Sequence, residues 1–175
     1  GKGHNYDPER ILLDPFAKMI RPSVWGERRD YLGKRPSCLV HKSEYDWEGD
    51  RQLNAPLKDS IIYELHVRGV TAHPSSEVEH AGTFSGLIEK VPYLRELGIT
   101  AVELMPITEF NENETLFRNP FSGEQLKNFW GYSPLSFFAP KSGYCIDPGN
   151  QIKEFKDLVK ALHLAGIEVI LDIVF

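Results

Sequence analysis

The sequence predicts an α/β fold built on a parallel sheet, and three observations carry that reading. From Ser60 onward, short β-branched and aromatic runs alternate with helical patterns. A helical pattern lies between each run and the next, which lets a strand return parallel to its predecessor. The connection after the second run, Pro106 to Ile146, is about forty residues long, where such loops usually take about 2–6.

The first run, Ile61-Ile62-Tyr63-Glu64-Leu65-His66-Val67, has the β-branched and aromatic content of a strand. Phe84, Leu87, Ile88, Val91, Leu94 and Leu97 then recur at helical steps, with Gly98 placed to end the helix. Pro92 inside this pattern predicts a kink or a restart. The second strand is Ile99 to Met105, stopped by Pro106. Asp147-Pro148 reads as an N-cap followed by proline at the first helical position, opening a helix with Ile152, Phe155, Leu158, Val159 and Leu162 on one face. Its other face, Lys153, Glu154, Lys156, Asp157 and Lys160, reads as a solvated surface with no part in the chemistry. The last run, Ile167 to Phe175, reads as a buried parallel strand with Asp172 in it.

Three parallel strands with two crossovers begin either a doubly wound sheet or a (β/α)8 barrel; the long second loop favours the barrel, whose sites are built from loops at that end. Residues 1–58 have no sustained period. Their aromatics (Tyr6, Phe16, Trp25, Tyr31, Tyr45, Trp47) are scattered among prolines and charges, as in an extended segment that packs on something else. The division is therefore 1–58, extended, and 59–175, the start of the barrel.

Composition narrows the function classes. The chain is 41% hydrophobic and 26% charged, the make-up of a globular protein. A net charge of −5 and the lack of any Lys/Arg-rich run argue against nucleic acid as a partner. No apolar run approaches the ~20 residues of a membrane span, and Gly1 to Asn5 has no signal-type apolar core, so a cytoplasmic setting is expected. Two cysteines, Cys38 and Cys145, build neither a disulfide framework nor a thiolate metal site.

Several blocks resemble one family. Ile62-Tyr63-Glu64-Leu65-His66-Val67-Arg68-Gly69, Gly82-Thr83-Phe84, Leu97 to Pro106, Asn128-Phe129-Trp130-Gly131-Tyr132 and Phe137-Phe138-Ala139-Pro140 are similar, in order and spacing, to isoamylase-type debranching enzymes of the α-amylase superfamily. Leu12 to Lys18 looks like the segment by which those enzymes leave an N-terminal β-sandwich. Asp172-Ile173-Val174-Phe175 is similar to the start of the family's first conserved region.

The resemblance implies a fold and a function. The fold is the first three strands of a (β/α)8 barrel, incomplete, after an extended linker from a β-sandwich. The function is that of a retaining glycoside hydrolase cleaving α-1,6 branch points of glycogen, limit dextrin or amylopectin, without metal or other cofactor. Catalytic carboxylates are expected after later strands, so none is assigned here. A pullulanase, a branching enzyme, a trehalohydrolase or a non-catalytic α-glucan-binding remnant stays open as an alternative.

Residue by residue, the resemblance puts Tyr132 against the sugar, where a tyrosine offers a flat apolar face and a hydroxyl. Trp130 is expected to anchor its loop. Asp172 is expected to support the site's hydrogen bonds without reacting; lacking its family partners in this chain, it should be exposed or unpaired. Glu64 and Glu103 read as structural. His66, His73 and His80 are interrupted by Gly69, Pro74 and Gly82, which argues against a metal cluster. Glu109 to Glu114 lacks the ligand spacing of a calcium loop and reads as solvated.

Overall fold

The computed structural model describes residues 12–28, 37–42 and 44–175; Tyr6, Tyr31 and the N-terminal Gly1 to Asn5 lie outside them. Its centre is a three-stranded parallel sheet in the order β1-β2-β3, with β1 at Ile62–Leu65, β2 at Ala101–Leu104 and β3 at Glu168–Leu171. All three strands are shorter than the apolar runs that announce them. β2, flanked on both sides, is the buried strand, with Val102 and Leu104 fully covered. β3 departs from the expected buried strand: among the described residues it has one neighbour, and Ile170, Leu171 and Ile173 are 37–50% exposed.

The first crossover is two helices rather than one. α1 spans Phe84–Glu89 and α2 spans Val91–Glu96. Thr83 caps α1 by accepting the Gly86 N–H at 3.0 Å. Pro92 lies in the first turn of α2, where its missing N–H costs nothing. The restart expected at this proline is thus what the backbone does, and Gly98 leaves the helix at φ +82°.

The second crossover helix, α3, spans Gln151–Leu164. It begins three residues later than the Asp147-Pro148 signal suggests, because Asp147 to Asn150 closes a turn of its own and Gly149 sits at φ +126°. Glu154 then serves the helix start: its carboxylate accepts the N–H groups of Ile146 and Asp147 at 3.0–3.1 Å, an anion favoured by the helix dipole. It is buried, so it does not belong to a solvated face.

Lys156, Asp157 and Lys160 are partly covered too, while Lys153 stays exposed as expected. Tyr45 donates to Asp157 at 2.8 Å, Lys160 meets Glu48 at 2.9 Å, His163 meets Asp50 at 2.8 Å, and Lys156 lies over the rings of Tyr45 and Trp47. Residues 44–55 therefore lie along α3 as a strap, finishing with Ala55 N–H on Glu168. The hydrophobic core, between sheet and helices, is built from Leu65, Val67, Phe84, Leu87, Leu94, Val102, Leu104, Leu158 and Leu162.

Candidate functional site

The long connection folds back on itself through antiparallel bridges Thr108–Pro140, Phe110–Pro134 and Arg118–Gln125. Its base is an ion cluster. Lys141, with no exposed surface, places Nζ 2.7 Å from Glu109 and 2.8 Å from Glu112, and donates to the Phe110 carbonyl. Glu109 also accepts the N–H and hydroxyl of Ser142. Burial opposes the lysine's charge, but the two carboxylates outweigh it and hold its pKa above the usual value. This overturns the solvated acidic loop: Glu109 and Glu112 are both 1% exposed. A buried carboxylate is tolerable here because a cation and hydrogen-bond donors surround it.

Above this base the turn Asn128 to Tyr132 is held by one side chain. Asn128 Oδ1 accepts the Gly131 N–H at 3.2 Å, and its Nδ2 donates to Glu114 and Ser133. Gly131, at φ +84°, rests on Phe110, where an added Cβ would come within 2.7 Å of the ring. Only glycine meets both conditions.

Phe129 stacks on His66 with centroids 4.1 Å apart and planes 12° apart. The imidazole has a defined tautomer. Gly69 N–H donates to Nδ1 at 2.9 Å, so Nε2 carries the proton and donates to the Phe129 carbonyl at 2.7 Å. Tyr144 Oη lies 3.1 Å from the same Nε2. Burial lowers the His66 pKa, against the pull of the carbonyl, and keeps the ring neutral.

Tyr132, 43% exposed, donates its hydroxyl to Asp172 Oδ2 at 2.5 Å. Asp172 is thereby neither unpaired nor open to solvent, contrary to the expectation; it is half-buried, and its own N–H continues the sheet onto Leu104. The hydrogen bond, burial and the nearby charges of Asp172, Glu64 and Glu103 push the Tyr132 pKa up to about 12. Glu64 and Glu103 are register neighbours on the sheet face opposite Leu65 and Leu104. Trp130 is 55% exposed and meets Phe129 and His66 edge-on.

The assembled wall is an exposed tyrosine face, an exposed indole and carboxylates set around a neutral imidazole. Such a surface offers stacking area and hydrogen-bond acceptors to a polyhydroxyl ligand. Among the described residues no group of three or more His, Cys, Asp or Glu could hold a metal, and no helix is long and apolar enough to cross a membrane. Cys38 and Cys145 are free thiols. Sequence reasoning assigned no role in this wall to His66, Phe129 or Trp25. The Asn128-to-Gly131 spacing, a side-chain-to-backbone turn signal, marked the turn that gathers the first two; nothing local marked Trp25.

Comparison with known proteins agrees with this architecture. The family described as "Alpha amylase, catalytic domain" matches residues 61–175. The chain is 47% identical over 184 aligned positions to isoamylase 1, chloroplastic, of Arabidopsis thaliana, covering 99% of this chain and 23% of the relative. It is 43% identical to isoamylase 1, chloroplastic, of Oryza sativa subsp. japonica, covering 99% of this chain and 22% of that relative. The chain thus spans under a quarter of the length of both. Among solved structures it resembles pullulanase from Paenibacillus barengoltzii complexed with maltohexaose and α-cyclodextrin, with a TM-score of 0.69, 28% identity, and 93% of this chain and 26% of that one covered. Pullulanase from Anoxybacillus sp. LM18-11 gives a TM-score of 0.67 at 31% identity, covering 93% of this chain and 23% of that one. With the three parallel strands and the Tyr132 loop falling inside the matched residues, the chain belongs to the family of α-amylase catalytic domains, and within it is similar to isoamylases.

Proposed function

We propose that this chain supplies the first part of the catalytic barrel of a debranching glycoside hydrolase, and with it one wall of the site that receives an α-1,6 branch point of glycogen, limit dextrin or amylopectin. Residues 59–175 are the barrel part and residues 1–58 the linker that leads into it. The observation that carries the reading is the Tyr132–Asp172 pair, which holds an exposed aromatic face over the open side of the sheet. Tyr132 contacts the sugar, Asp172 fixes the tyrosine, and Trp130 borders the same turn.

A retaining mechanism needs two carboxyl groups ~5–5.5 Å apart, one as nucleophile and one as acid/base. We assign neither to this chain; Glu64 and Glu103 belong to the sheet. Identities of 43–47% with isoamylases against 27–31% with pullulanases favour the isoamylase branch. The free thiols support a reducing compartment, such as the cytoplasm.

The test is binding without turnover. Titrated with maltotriose and followed by NMR, the chain is expected to show shifts at Tyr132 and at the neighbouring Trp130 indole, those at Trp130 fading in Tyr132→Ala, and to release no reducing ends from amylopectin. Silence at Tyr132, or hydrolysis by these 175 residues alone, overturns the reading.

A further inference from the structure

Trp25 lies more than a hundred residues before the candidate site, yet three routes lead from its segment to the turn that carries Tyr132. Its ring meets Phe110 edge-on at 6.1 Å, and Phe110 is the ring on which Gly131 rests. It meets Phe129 edge-on at 6.4 Å, and Phe129 is the ring stacked on His66. The next residue, Gly26, donates its N–H to the Glu112 carboxylate at 2.6 Å, while the Glu112 carbonyl accepts the Asn128 N–H at 2.8 Å. Asn128 in turn holds Gly131.

Trp25 is itself clamped. Tyr144 stacks on it at 5.8 Å and 20°, and the Arg68 guanidinium lies 4.8 Å from its centroid. Ser23 N–H donates to Ser142 Oγ at 3.0 Å, and Asn113 Nδ2 donates to the Glu27 carbonyl at 3.0 Å, so the segment is fixed on both sides of the indole. A linker that merely passed by would need none of these contacts. Aromatic pairs are worth ~0.5–1.5 kcal/mol each beyond burial, and several converge here on one short turn.

We propose that Trp25 is a positioning residue of the glucan site: the segment Ser23 to Glu27 forms the floor on which the Asn128 to Tyr132 turn is set, and the indole fixes where the Tyr132 hydroxyl meets Asp172. The proposal rests on the reading of Tyr132 as a sugar contact only for its effect on binding; the effect on the Tyr132–Asp172 bond stands apart from it.

The experiment labels tyrosine Cζ with 13C in the 175-residue chain and follows Tyr132 at neutral pH, with Asp172→Ala giving the position of a phenol without its acceptor. Trp25→Ala is expected to move the Tyr132 resonance toward that position and Trp25→Phe, which keeps a stacking ring, to restore most of it. Maltotriose shifts at Tyr132 should fade in Trp25→Ala and return in Trp25→Phe. If Trp25→Ala does not fold, Trp25→Leu carries the test, since it keeps apolar bulk without the ring stack. A folded Trp25→Ala or Trp25→Leu protein with an unmoved Tyr132 resonance overturns the proposal. If maltotriose shifts nothing in the parent chain while the Cζ resonance responds to Trp25, positioning stands and the sugar reading of Tyr132 falls.

Discussion

The Tyr132 hydroxyl donates to Asp172 across 40 residues of sequence, joining the long loop after β2 to the end of β3. This bond ties a partly exposed side chain on a loop to the sheet. It also places the proton of Tyr132 among three carboxylates, those of Asp172, Glu64 and Glu103.

Asp172→Ala should bring the Tyr132 phenol down from about 12 toward the ordinary ~10 of a tyrosine. The sign follows from linkage. A folded-state pKa raised above the unfolded one stabilises the fold fully below ~10, and that stabilisation is lost as pH rises through about 12. Thermal melts of the parent and the variant should therefore differ at neutral pH and draw together in alkali. A phenol titrating at the same pH in both proteins would show that Asp172 does not hold it.

Lys141→Met should cost about 3–5 kcal/mol in urea unfolding, since it strands Glu109 and Glu112 as unpaired buried carboxylates. Lys153→Met breaks a pair that is no longer, at 2.6 Å, but whose lysine is 67% exposed. That loss should stay below about 0.5 kcal/mol. Equal effects at the two lysines would mean that water reaches the Lys141 cluster.

The contrast between these lysines also marks what could be read from the sequence. The three parallel strands, the Pro92 restart and the Gly98 exit follow from local rules about apolar runs, intervening helices, proline and glycine, and the structure obeys them. Lys141, Glu109 and Glu112 are ordinary charges in a loop until their separation in space is known; they meet across 29–32 residues. Glu154 looked solvated for the same reason, its partners Ile146 and Asp147 lying before the helix. Tyr132 and Asp172 were legible as individual residues, but their bond was not, since a periodicity argument locates side chains on elements and says nothing of which loop folds over which strand.

His66 should make the fold acid-sensitive. Its neutral ring accepts from Gly69 and donates to Phe129, and protonation of Nδ1 destroys the first bond. Its folded pKa lies below the usual ~6.5, so the unfolded chain binds the proton first and stability falls as pH drops below that value. His66→Phe keeps a ring against Phe129 and removes the titration. Stability measured by urea between pH 7 and 5 should slope less in the variant than in the parent; parallel slopes would assign the acid sensitivity to other groups.

Gly131 and Gly98 separate backbone strain from crowding, because they share nearly the same left-handed φ, +84° and +82°, in opposite surroundings. A Cβ at Gly98 meets nothing within 4 Å, while one at Gly131 comes within 2.7 Å of Phe110. Gly98→Ala should cost only the left-handed penalty of about 1–2 kcal/mol. Gly131→Ala should add about 1–3 kcal/mol for forcing the Phe110 ring to move, and should also displace Tyr132, which follows it in the chain. The two variants are compared by urea unfolding and by the Tyr132 ring resonances. Equal costs, with Tyr132 undisturbed, would mean that Phe110 yields freely and does not support the turn.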